Sequence, residues 1–504
     1  VSNNKNNENS NVVEIVYMTT QPKTDLPTHV TVRSTGRPST VLCEQVYSVS
    51  TERIGTYIGE CTDKEMENID IALMISLQLD GSMKTSKKYN ETIKNQQEEI
   101  ELYRSKIQAM EQELKEKDGS TASQIYYLEH QSGFPAYKDS KVDYYPSGED
   151  CFKVMVEELR KAKEYIYLEY FIIEQGIMWN SILEILEQKV KEGVEVRLIY
   201  DDVGCVDRLP IHYTKLMENK GIKCMAFNRF VPFLSLAMNN RDHRKILVID
   251  GYIGYSGGIN LADEYINEKA RFGHWKDTGV RLLGEGVFNL TIMFLEMWNA
   301  FQKPDFDYEA FRPHRWHPET FKTDGYVIPY ADTPLDNEEL GENVYINILN
   351  QAKDYVYIAT PYLLISDEME RALCLAAKRG VDVRILMPGI PDKPMVFYMA
   401  KSYYPPLLEA GVKIYEYTPG FVHAKSYVCD DQIGTVGSIN MDFRSLYLHF
   451  ECGTMLYQCE AIHDIKTDME QCFEQCHQVT MGDCRQGVIG GLFTSVLRVL
   501  APLM

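Results

Sequence analysis

The strongest constraint in this sequence is a polar pattern that occurs twice. The first copy consists of His243, Lys245, Asp250 and Asn260. The second copy consists of His423, Lys425, Asp430 and Asn440. Every residue of the second copy lies 180 positions after its counterpart in the first. An identical offset at four polar positions indicates an internal duplication, so we expect two similar halves.

The chemistry of these groups suits the exchange of one phosphodiester for another. One imidazole can attack phosphorus while the other protonates the leaving alcohol. Two ammonium groups and two carboxamides can hold the non-bridging oxygens as negative charge develops. These steps require neither a metal nor another cofactor, and we expect none. A lone His-x-Lys pair is more often structural, but the duplication favours a catalytic role.

The segment from His243 to Asp250 has the alternation of a β-strand. His243 and Lys245 then point to the same side, because side chains two positions apart share a face. Asp250 has the opposite parity and precedes Gly251, which predicts a hairpin turn. We therefore expect Asp250 to fix the turn and the placement of the lysine. The second copy has the same parity.

The paired motifs resemble those of the phospholipase D superfamily, and their surroundings are similar to its bacterial cardiolipin synthase members. The similarity extends from about residue 125 to the C terminus. It is carried by residues 127–129, 133–135, 162–169, 360–362 and 402–404, by Phe272-Gly-His-Trp-Lys-Asp277 and by Ser438-Ile-Asn-Met-Asp-Phe-Arg-Ser445.

The resemblance implies an α/β fold with two phospholipase D-like halves related by pseudo-twofold symmetry. We place these halves at residues 121–330 and 331–484. A repeat outside the motifs also indicates two similar halves, since Gly193-Val-Glu-Val-Arg recurs as Gly380-Val-Asp-Val-Arg. Each half then contains a helix, an apolar strand, an amphipathic helix and an apolar strand. Two halves that face each other would bring both His-Lys pairs into one active site.

The resemblance also implies an activity and residue roles. The expected reaction transfers a phosphatidyl group between two phosphatidylglycerol molecules, which gives cardiolipin and glycerol. His243 is then the nucleophile and His423 the acid and base, while Asp277 and Glu451 orient the imidazoles. The residues expected to stabilise the transition state are Lys245, Lys425, Asn260 and Asn440. The choice of nucleophile rests on the resemblance, because the two motifs are symmetric.

Two other functions remain open from the sequence. A hydrolase that releases phosphatidic acid would use the same groups, with water in place of the acceptor alcohol. A toxin-derived RNA-binding or dimerisation module would leave the lipid domain idle. The two intact His-Lys pairs disfavour this last function.

The amino-acid composition limits the kinds of partner that the chain can bind. The net charge of −21 disfavours a groove that follows a nucleic-acid backbone, so we expect no nucleic-acid partner. Contact with a membrane surface must for the same reason be local and partly apolar. Twelve cysteines without an even framework indicate a reducing cytosol. The spacing of Cys472, Cys476, His477 and Cys484 fits no zinc pattern, so we predict no metal site.

Residues 1–85 differ in character from the rest. Residues 12–17, 27–30, 41–46 and 72–77 resemble the MazF/PemK family of small β-barrel endoribonuclease toxins. Thr19 occupies the place of that family's catalytic Thr. The Gly-rich loop that carries the family's catalytic Arg would lie upstream of Val1. We therefore expect a partial, truncated β-barrel segment without ribonuclease activity.

A seven-residue repeat follows this segment. Its positions are Ile93, Ile100, Ile107 and Leu114. They predict a short coiled coil over residues 86–120, and a homodimer as its consequence. The alternative is a solvated helix that packs one stripe on its own domain. The two membrane-spanning helices usual in the family have no counterpart, because no stretch approaches the ~20 apolar residues that a span requires.

Two apolar segments are candidates for membrane contact. The first is an insert of ten residues ahead of His243, relative to the second half, and it contains Phe227, Phe230, Val231, Phe233, Leu234 and Leu236. We expect it to form a lipid-facing lip of the active site; packing against the domain body is the alternative. The second is an amphipathic tail at residues 485–504. We expect this tail to lie in the membrane–water interface; packing on the second half is the alternative. A peripheral location on the cytoplasmic side of the cell membrane follows.

Overall fold

The computed structural model describes residues 12–19, 28–34, 39–50, 61–76, 105, 112, 119–229, 239–305, 307–317, 321 and 325–484. The chain divides into two units, Val1–Lys106 and Ile107–Met504. The four heptad positions, residues 230–238 of the insert and the tail at 485–504 lie outside the described residues. The coiled coil, the lip and the interfacial tail therefore stay predictions.

The N-terminal unit contains an antiparallel sheet of three strands in the order β1-β3-β2. Its elements are β1 (Val12–Thr19), β2 (His29–Val32), β3 (Ser39–Ser50) and the helix α1 (Asp63–Ser76). A small apolar core joins Val32 and Val41 of the sheet to Ile69 of the helix. The strands are rich in β-branched residues, which pack well on a pleated surface.

The second unit begins with α2 (Gly119–Tyr127) and a π-helical turn (Leu128–Ser132), which lead into the first half. The strands of this half are β4 (Ser140–Tyr145), β5 (Tyr165–Tyr170), β6 (Glu195–Asp201), β7 (Lys223–Phe227), β8 (Lys245–Ile249), β9 (Ile253–Gly257), β10 (His274–Lys276) and β11 (Gly279–Gly284). Its helices are α3 (Gly148–Leu159), α4 (Ile177–Lys191), α5 (Asp202–Cys205), α6 (Tyr213–Glu218), α7 (Val287–Phe301) and α8 (Pro313–Trp316). Two 3-10 turns are Asp263–Ile266 and Tyr308–Phe311.

The second half repeats this plan. Its strands are β12 (Tyr326–Asp332), β13 (Tyr355–Ala359), β14 (Leu363–Leu364), β15 (Asp382–Pro388), β16 (Lys413–Tyr417), β17 (Gly420–Val422), β18 (Ser426–Cys429), β19 (Ile433–Gly437), β20 (Met441–Asp442), β21 (Glu451–Tyr457) and β22 (Cys476–Gln478). Its helices are α9 (Leu340–Gln351), α10 (Asp367–Lys378), α11 (Pro394–Ala400), α12 (Tyr404–Ala410), α13 (Phe443–Tyr447) and α14 (Ala461–Phe473).

The two main sheets have the same strand order. The first runs β4-β11-β9-β8-β5-β6-β7, and the second runs β12-β21-β19-β18-β13-β15-β16, with β22 added at its edge. The inner strands β5 and β8 are buried along their whole length, as expected where helices cover both faces of a sheet. The duplicated α/β fold predicted from the sequence is thus confirmed.

The repeated glycines explain part of this correspondence. Gly193 follows α4 with φ of 96°, and Gly380 follows α10 with φ of 98°. This left-handed conformation ends a helix and strongly favours glycine. In both halves the chain then enters the next parallel strand through the same Gly-Val segment.

The halves are joined by short backbone pairings next to the duplicated motifs. Strands β10 and β17 form a two-stranded parallel sheet, with Trp275 opposite Phe421. On the other side, Asp242 forms an isolated bridge with Phe450. Both histidines follow directly after these pairings, so the contact between the halves contains the candidate site.

The described helices include none that is long and apolar enough to cross a bilayer. The apolar helix α7 has 15 residues, most of them buried.

Candidate active site

The backbone of each motif histidine is held by the opposite half. The N–H of His243 donates to the carbonyl of Phe450 at 2.9 Å. The N–H of His423 donates to the carbonyl of Lys276 at 2.7 Å. The two histidines therefore occupy equivalent positions on either side of the junction.

A carboxylate from the opposite half also binds each imidazole. Nδ1 of His243 lies 2.8 Å from Oε1 and 3.0 Å from Oε2 of Glu451. Nδ1 of His423 lies 2.7 Å from Oδ2 of Asp277. Both carboxylates are fully buried. The sequence indicated Asp277 and Glu451 as orienting groups, but it did not show that each one crosses to the other half.

Further hydrogen bonds fix the two carboxylates. The hydroxyl of Ser438 donates to Oε2 of Glu451. The backbone N–H of Thr278 donates to Oδ1 of Asp277 at 2.8 Å. Each carboxylate therefore keeps one oxygen directed at its imidazole.

The pKa directions show how protons are arranged. Burial lowers the pKa of His243 well below its usual value, and burial followed by the Lys425 charge lowers the pKa of His423 to about 4. Burial opposes ionisation of Glu451 and Asp277, yet their histidine partners hold both pKa values below the usual range. Each neutral imidazole then donates its Nδ1 proton to an ionised carboxylate, which leaves the Nε2 lone pair free to react.

The motif lysines are buried next to the histidines. The strands themselves begin only at Lys245 and Ser426, so both histidines lie just before them. The ammonium group of Lys425 lies 2.8 Å from Nδ1 of His423. Lys245 and Lys425 are each 1 % exposed. The ammonium group of each donates to the carbonyl of the histidine two positions earlier. Burial lowers the pKa of Lys245 to about 8 and that of Lys425 to about 7. Two ammonium groups that are largely shielded from water thus lie beside the imidazoles.

One cavity of about 680 Å³ connects the two motifs. His243, His423, Asn260 and Asn440 all line it. Aromatic rings complete the wall around each imidazole: Phe171 stands 4.9 Å from His243, whereas Tyr265 and Trp275 each stand 5.4 Å from His423, measured between ring centroids. The wall belongs to both halves, so the described residues form a shared site.

The two asparagines differ in their contacts. Asn260 accepts the N–H of Ile172 at 3.0 Å and donates to the hydroxyl of Tyr265 at 2.7 Å. Asn440 donates to the hydroxyl of Ser445 at 3.0 Å. Each amide thus ties the cavity wall to the residue five positions later. Direct contact with phosphate stays a prediction for both.

The motif aspartates occupy the predicted turns, with φ of 49° at Asp250 and 51° at Asp430. The carboxylate of Asp250 accepts three backbone N–H groups, from Lys163, Glu164 and Tyr165, at 2.8 to 3.0 Å. Asp430 accepts the corresponding three, from Lys353, Asp354 and Tyr355, at 2.7 to 2.9 Å. The two aspartates belong to the motifs counted as catalytic from the sequence, but neither lines the cavity. We assign both a structural role, which is to fix the backbone at the start of β5 and β13.

One group of three candidate metal ligands has all its donor atoms within 4.8 Å of one another in the described part of the chain: His243, His449 and Glu451. His449 belongs to neither motif, so the sequence pattern does not predict a role for it. The cysteine cluster considered from the sequence does not assemble. Cys476 donates to the carbonyl of Cys472, and His477 lies 3.3 Å from Asp483.

Comparisons with known proteins agree with this geometry. A family model described as "Cardiolipin synthase, PLD-like domain" matches residues 155–270 and 345–473. A model described as "PemK-like, MazF-like toxin of type II toxin-antitoxin system" matches residues 1–77. A solved structure titled as phosphatidylserine synthase of Haemophilus influenzae superposes with a TM-score of 0.54 at 15 % identity, covering 72 % of this chain and 93 % of that one. This likeness shows a shared fold.

Several curated proteins are similar over most of the chain. A cardiolipin synthase of Alkalihalophilus pseudofirmus is 34 % identical over 422 residues, which is 83 % of each chain. A cardiolipin synthase of a Geobacillus species is 37 % identical over 362 residues, or 71 % of each chain. An uncharacterized protein of Streptococcus mutans is 51 % identical over 82 % of this chain and 89 % of its own length.

The fold and the paired motifs thus define a protein with two phospholipase D-like halves. Within that class, the chain belongs to the cardiolipin synthase family and carries a PemK-like segment at its N terminus. It is a phosphatidyltransferase of phospholipid biosynthesis.

Proposed function

We propose that the chain makes cardiolipin from two molecules of phosphatidylglycerol through a phosphohistidine. Nε2 of His243 attacks the phosphorus of the first molecule and forms a P–N bond. The P–O bond to glycerol breaks, and His423 gives its proton to the departing glycerol oxygen. No nucleotide is consumed, because one phosphodiester replaces another.

The second step reverses these roles. A glycerol hydroxyl of the second phosphatidylglycerol gives its proton to His423 and attacks the phosphorus. The P–N bond breaks, so His243 is restored and cardiolipin leaves. Entry of the anionic phosphodiester raises the pKa of His423 and of the neighbouring lysine, which favours the protonated groups that the first step needs. Lys245, Lys425, Asn260 and Asn440 are proposed to hold the phosphoryl oxygens.

The observation that carries this proposal is the reciprocal pairing of the two histidines. Each imidazole has its Nδ1 bound to a buried carboxylate of the opposite half, and both imidazoles line the same cavity. A double displacement needs two imidazoles at one phosphorus, in different protonation states. Both imidazoles line the same cavity, and we infer that His423 takes up the second proton when the anionic phosphodiester enters.

The test combines product analysis with trapping of the intermediate. The purified chain is incubated with vesicles of phosphatidylglycerol labelled in the phosphate, and the reaction is quenched within one turnover. We expect cardiolipin and glycerol in equal amounts, and protein-bound label that is stable in base and lost in acid. His243→Ala should carry no label, whereas His463→Asn, on the exposed side of α14, serves as the matched control. Label that persists in His243→Ala would contradict the assignment of the nucleophile.

The hydrolase is the second candidate, since the same intermediate can react with water. The ratio of cardiolipin to phosphatidic acid separates the two functions. Phosphatidic acid as the main product at saturating phosphatidylglycerol would favour the hydrolase.

We also propose that the chain works at a membrane surface on the cytoplasmic side, with the apolar insert as its lip. Both substrates carry acyl chains, and the insert adjoins the motif that contains His243. Replacing Phe230, Phe233 and Leu234 with Ser should weaken vesicle binding and shift product toward phosphatidic acid. Hydrolysis of a short-chain soluble phosphodiester should persist. Loss of both activities together with a lower melting temperature would instead place the insert in the core.

A homodimer through residues 86–120 is a separate proposal that follows from the heptad pattern. Sedimentation of the full chain tests it, and a monomer at micromolar concentration would contradict it.

A further inference from the structure

A third imidazole stands beside the His243–Glu451 pair. The ring of His449 lies 5.7 Å from that of His243 between centroids, and its Nδ1 lies 3.8 Å from Oε1 of Glu451. Its side chain is 10 % exposed. Both of its ring nitrogens are buried and have no hydrogen-bond partner among the described residues. Burying a polar ring without a hydrogen-bond partner costs free energy, which a bound ligand would offset.

The equivalent position in the first half holds no imidazole. Phe450 accepts the N–H of His243 as Lys276 accepts that of His423, so the preceding residues, His449 and Trp275, occupy equivalent positions. The indole N–H of Trp275 is a donor only, with no lone pair to offer a metal. The internal repeat therefore shows that the extra ligand accompanies only one of the two histidines.

Two imidazoles and one carboxylate are a ligand set that binds zinc in proteins, with a fourth position left for water or substrate. The donor atoms of His243, His449 and Glu451 all lie within 4.8 Å of one another. Glu451 is fully buried and bound by Ser438, so its carboxylate is already held in place.

We propose that His243, His449 and Glu451 bind Zn²⁺ or a similar divalent transition-metal ion, and that this binding inhibits phosphatidyl transfer. The ion would occupy a lone pair of His243 and the carboxylate that orients it, so the imidazole could no longer attack phosphorus. The inhibition rests on the proposed function, whereas the binding of the metal does not. No step of the proposed mechanism uses a metal, so we expect a chelator to remove an inhibitor.

Cobalt binding tests the site without any activity measurement. The full chain is dialysed against chelator and titrated with Co²⁺, whose visible absorption reports a tetrahedral site. We expect one equivalent of bound cobalt without the near-ultraviolet band of cobalt thiolate. His449→Asn should weaken this binding more than about tenfold, because changes even beyond the ligands cost that much. His449→Gln is the second replacement, in case the first one lowers the melting temperature.

Two matched variants exclude other ligands. His463→Asn removes an exposed imidazole, and Cys476→Ser with Cys484→Ser removes the two partly exposed thiols near the end of the described chain. Both should bind cobalt like the wild type. Absence of cobalt absorption, or absorption that persists in both His449 variants, would overturn the site.

The inhibition is measured as the ratio of cardiolipin formation with and without Zn²⁺ for each variant, so differences in basal rate cancel. Zinc should lower the wild-type rate, EDTA should restore it, and His449→Asn should require about tenfold more zinc. A rate that rises with zinc, or falls on adding EDTA alone, would overturn the inhibitory role. Cobalt binding without cardiolipin formation would contradict the proposed function and leave the metal site standing.

Discussion

Replacement of Glu451 by Gln should be among the most damaging conservative changes in this chain. The hydroxyl of Ser438 donates to Oε2 and accepts the N–H of Cys452 at 2.9 Å. An amide at position 451 must therefore present its oxygen to Ser438. Its nitrogen then takes the place of Oε1, 2.8 Å from Nδ1 of His243. The imidazole then keeps only a neutral amide oxygen, at the Oε2 position 3.0 Å from Nδ1, and meets an N–H group at the nearer position. Both changes disfavour a proton on Nδ1, and a proton that moves to Nε2 blocks the lone pair that attacks.

The size of the effect follows from two contributions. Loss of a hydrogen bond to a charged group costs about 1.5–3 kcal/mol, which is about 10- to 150-fold in rate. The wrong tautomer adds to this, and a comparable Asp-to-Asn change beside a catalytic histidine costs about 10⁴-fold. We therefore expect kcat of Glu451→Gln to fall by about 10³- to 10⁴-fold. Glu451→Asp keeps the charge and should lose less.

The assay follows cardiolipin formation from phosphatidylglycerol vesicles over a range of substrate concentrations, together with thermal unfolding. The loss should appear in kcat rather than in KM, because Glu451 acts on the nucleophile. The melting temperature should stay close to that of the wild type, since the amide fills the same volume. A Glu451→Gln protein that is folded and keeps more than a tenth of wild-type kcat would refute the argument.

Three further outcomes are expected. His243→Ala and His423→Ala should each abolish turnover, and the double variant should be no slower than either one, because both steps need both groups; additive losses in kcat would contradict this. The kcat/KM should fall as pH rises through about 7. Burial lowers the pKa of Lys425 to about 7, and above that pH the neutral amine no longer attracts phosphate. A flat profile to pH 9 would show that another cation binds the phosphate. Asp250→Ala should destabilise the fold by about 3 kcal/mol, because three backbone N–H groups lose their acceptor, and denaturant unfolding measures it.

The duplication made much of this architecture predictable. A pattern repeated at a constant offset fixes the number of halves, and the Gly-Val repeats fix where equivalent parallel strands begin. The Asp250-Gly251 pair marked a turn correctly, because such a turn depends only on local backbone geometry. The resemblance supplied Asp277 and Glu451, which neither spacing nor parity could connect to the histidines.

The remaining features depend on contacts across 146 to 208 residues of sequence. Strand parity predicts on which face of a strand a side chain lies, but not which residue of another strand faces it. The sequence therefore could not show that each carboxylate binds the histidine of the other half. The same limit applies to His449, whose position becomes informative only once Phe450 is seen to pair with the backbone of His243. Asp250 also differs from its prediction. Its carboxylate accepts backbone N–H groups 85 to 87 residues earlier, at the start of β5, and does not bind the side chain of Lys245.

The crossing of the carboxylates has a physical consequence for the repeat as a whole. If each half had oriented its own histidine, a single half could have kept a reactive imidazole, and the halves could have diverged independently. Here Glu451 favours the Nδ1-protonated tautomer of His243, and Asp277 favours that of His423, so each half stabilises the reactive form of the other half's imidazole. The two backbone pairings at the junction come directly before the two histidines in the sequence. The junction between the halves is thus part of the chemistry, because it decides which nitrogen of each histidine carries the proton.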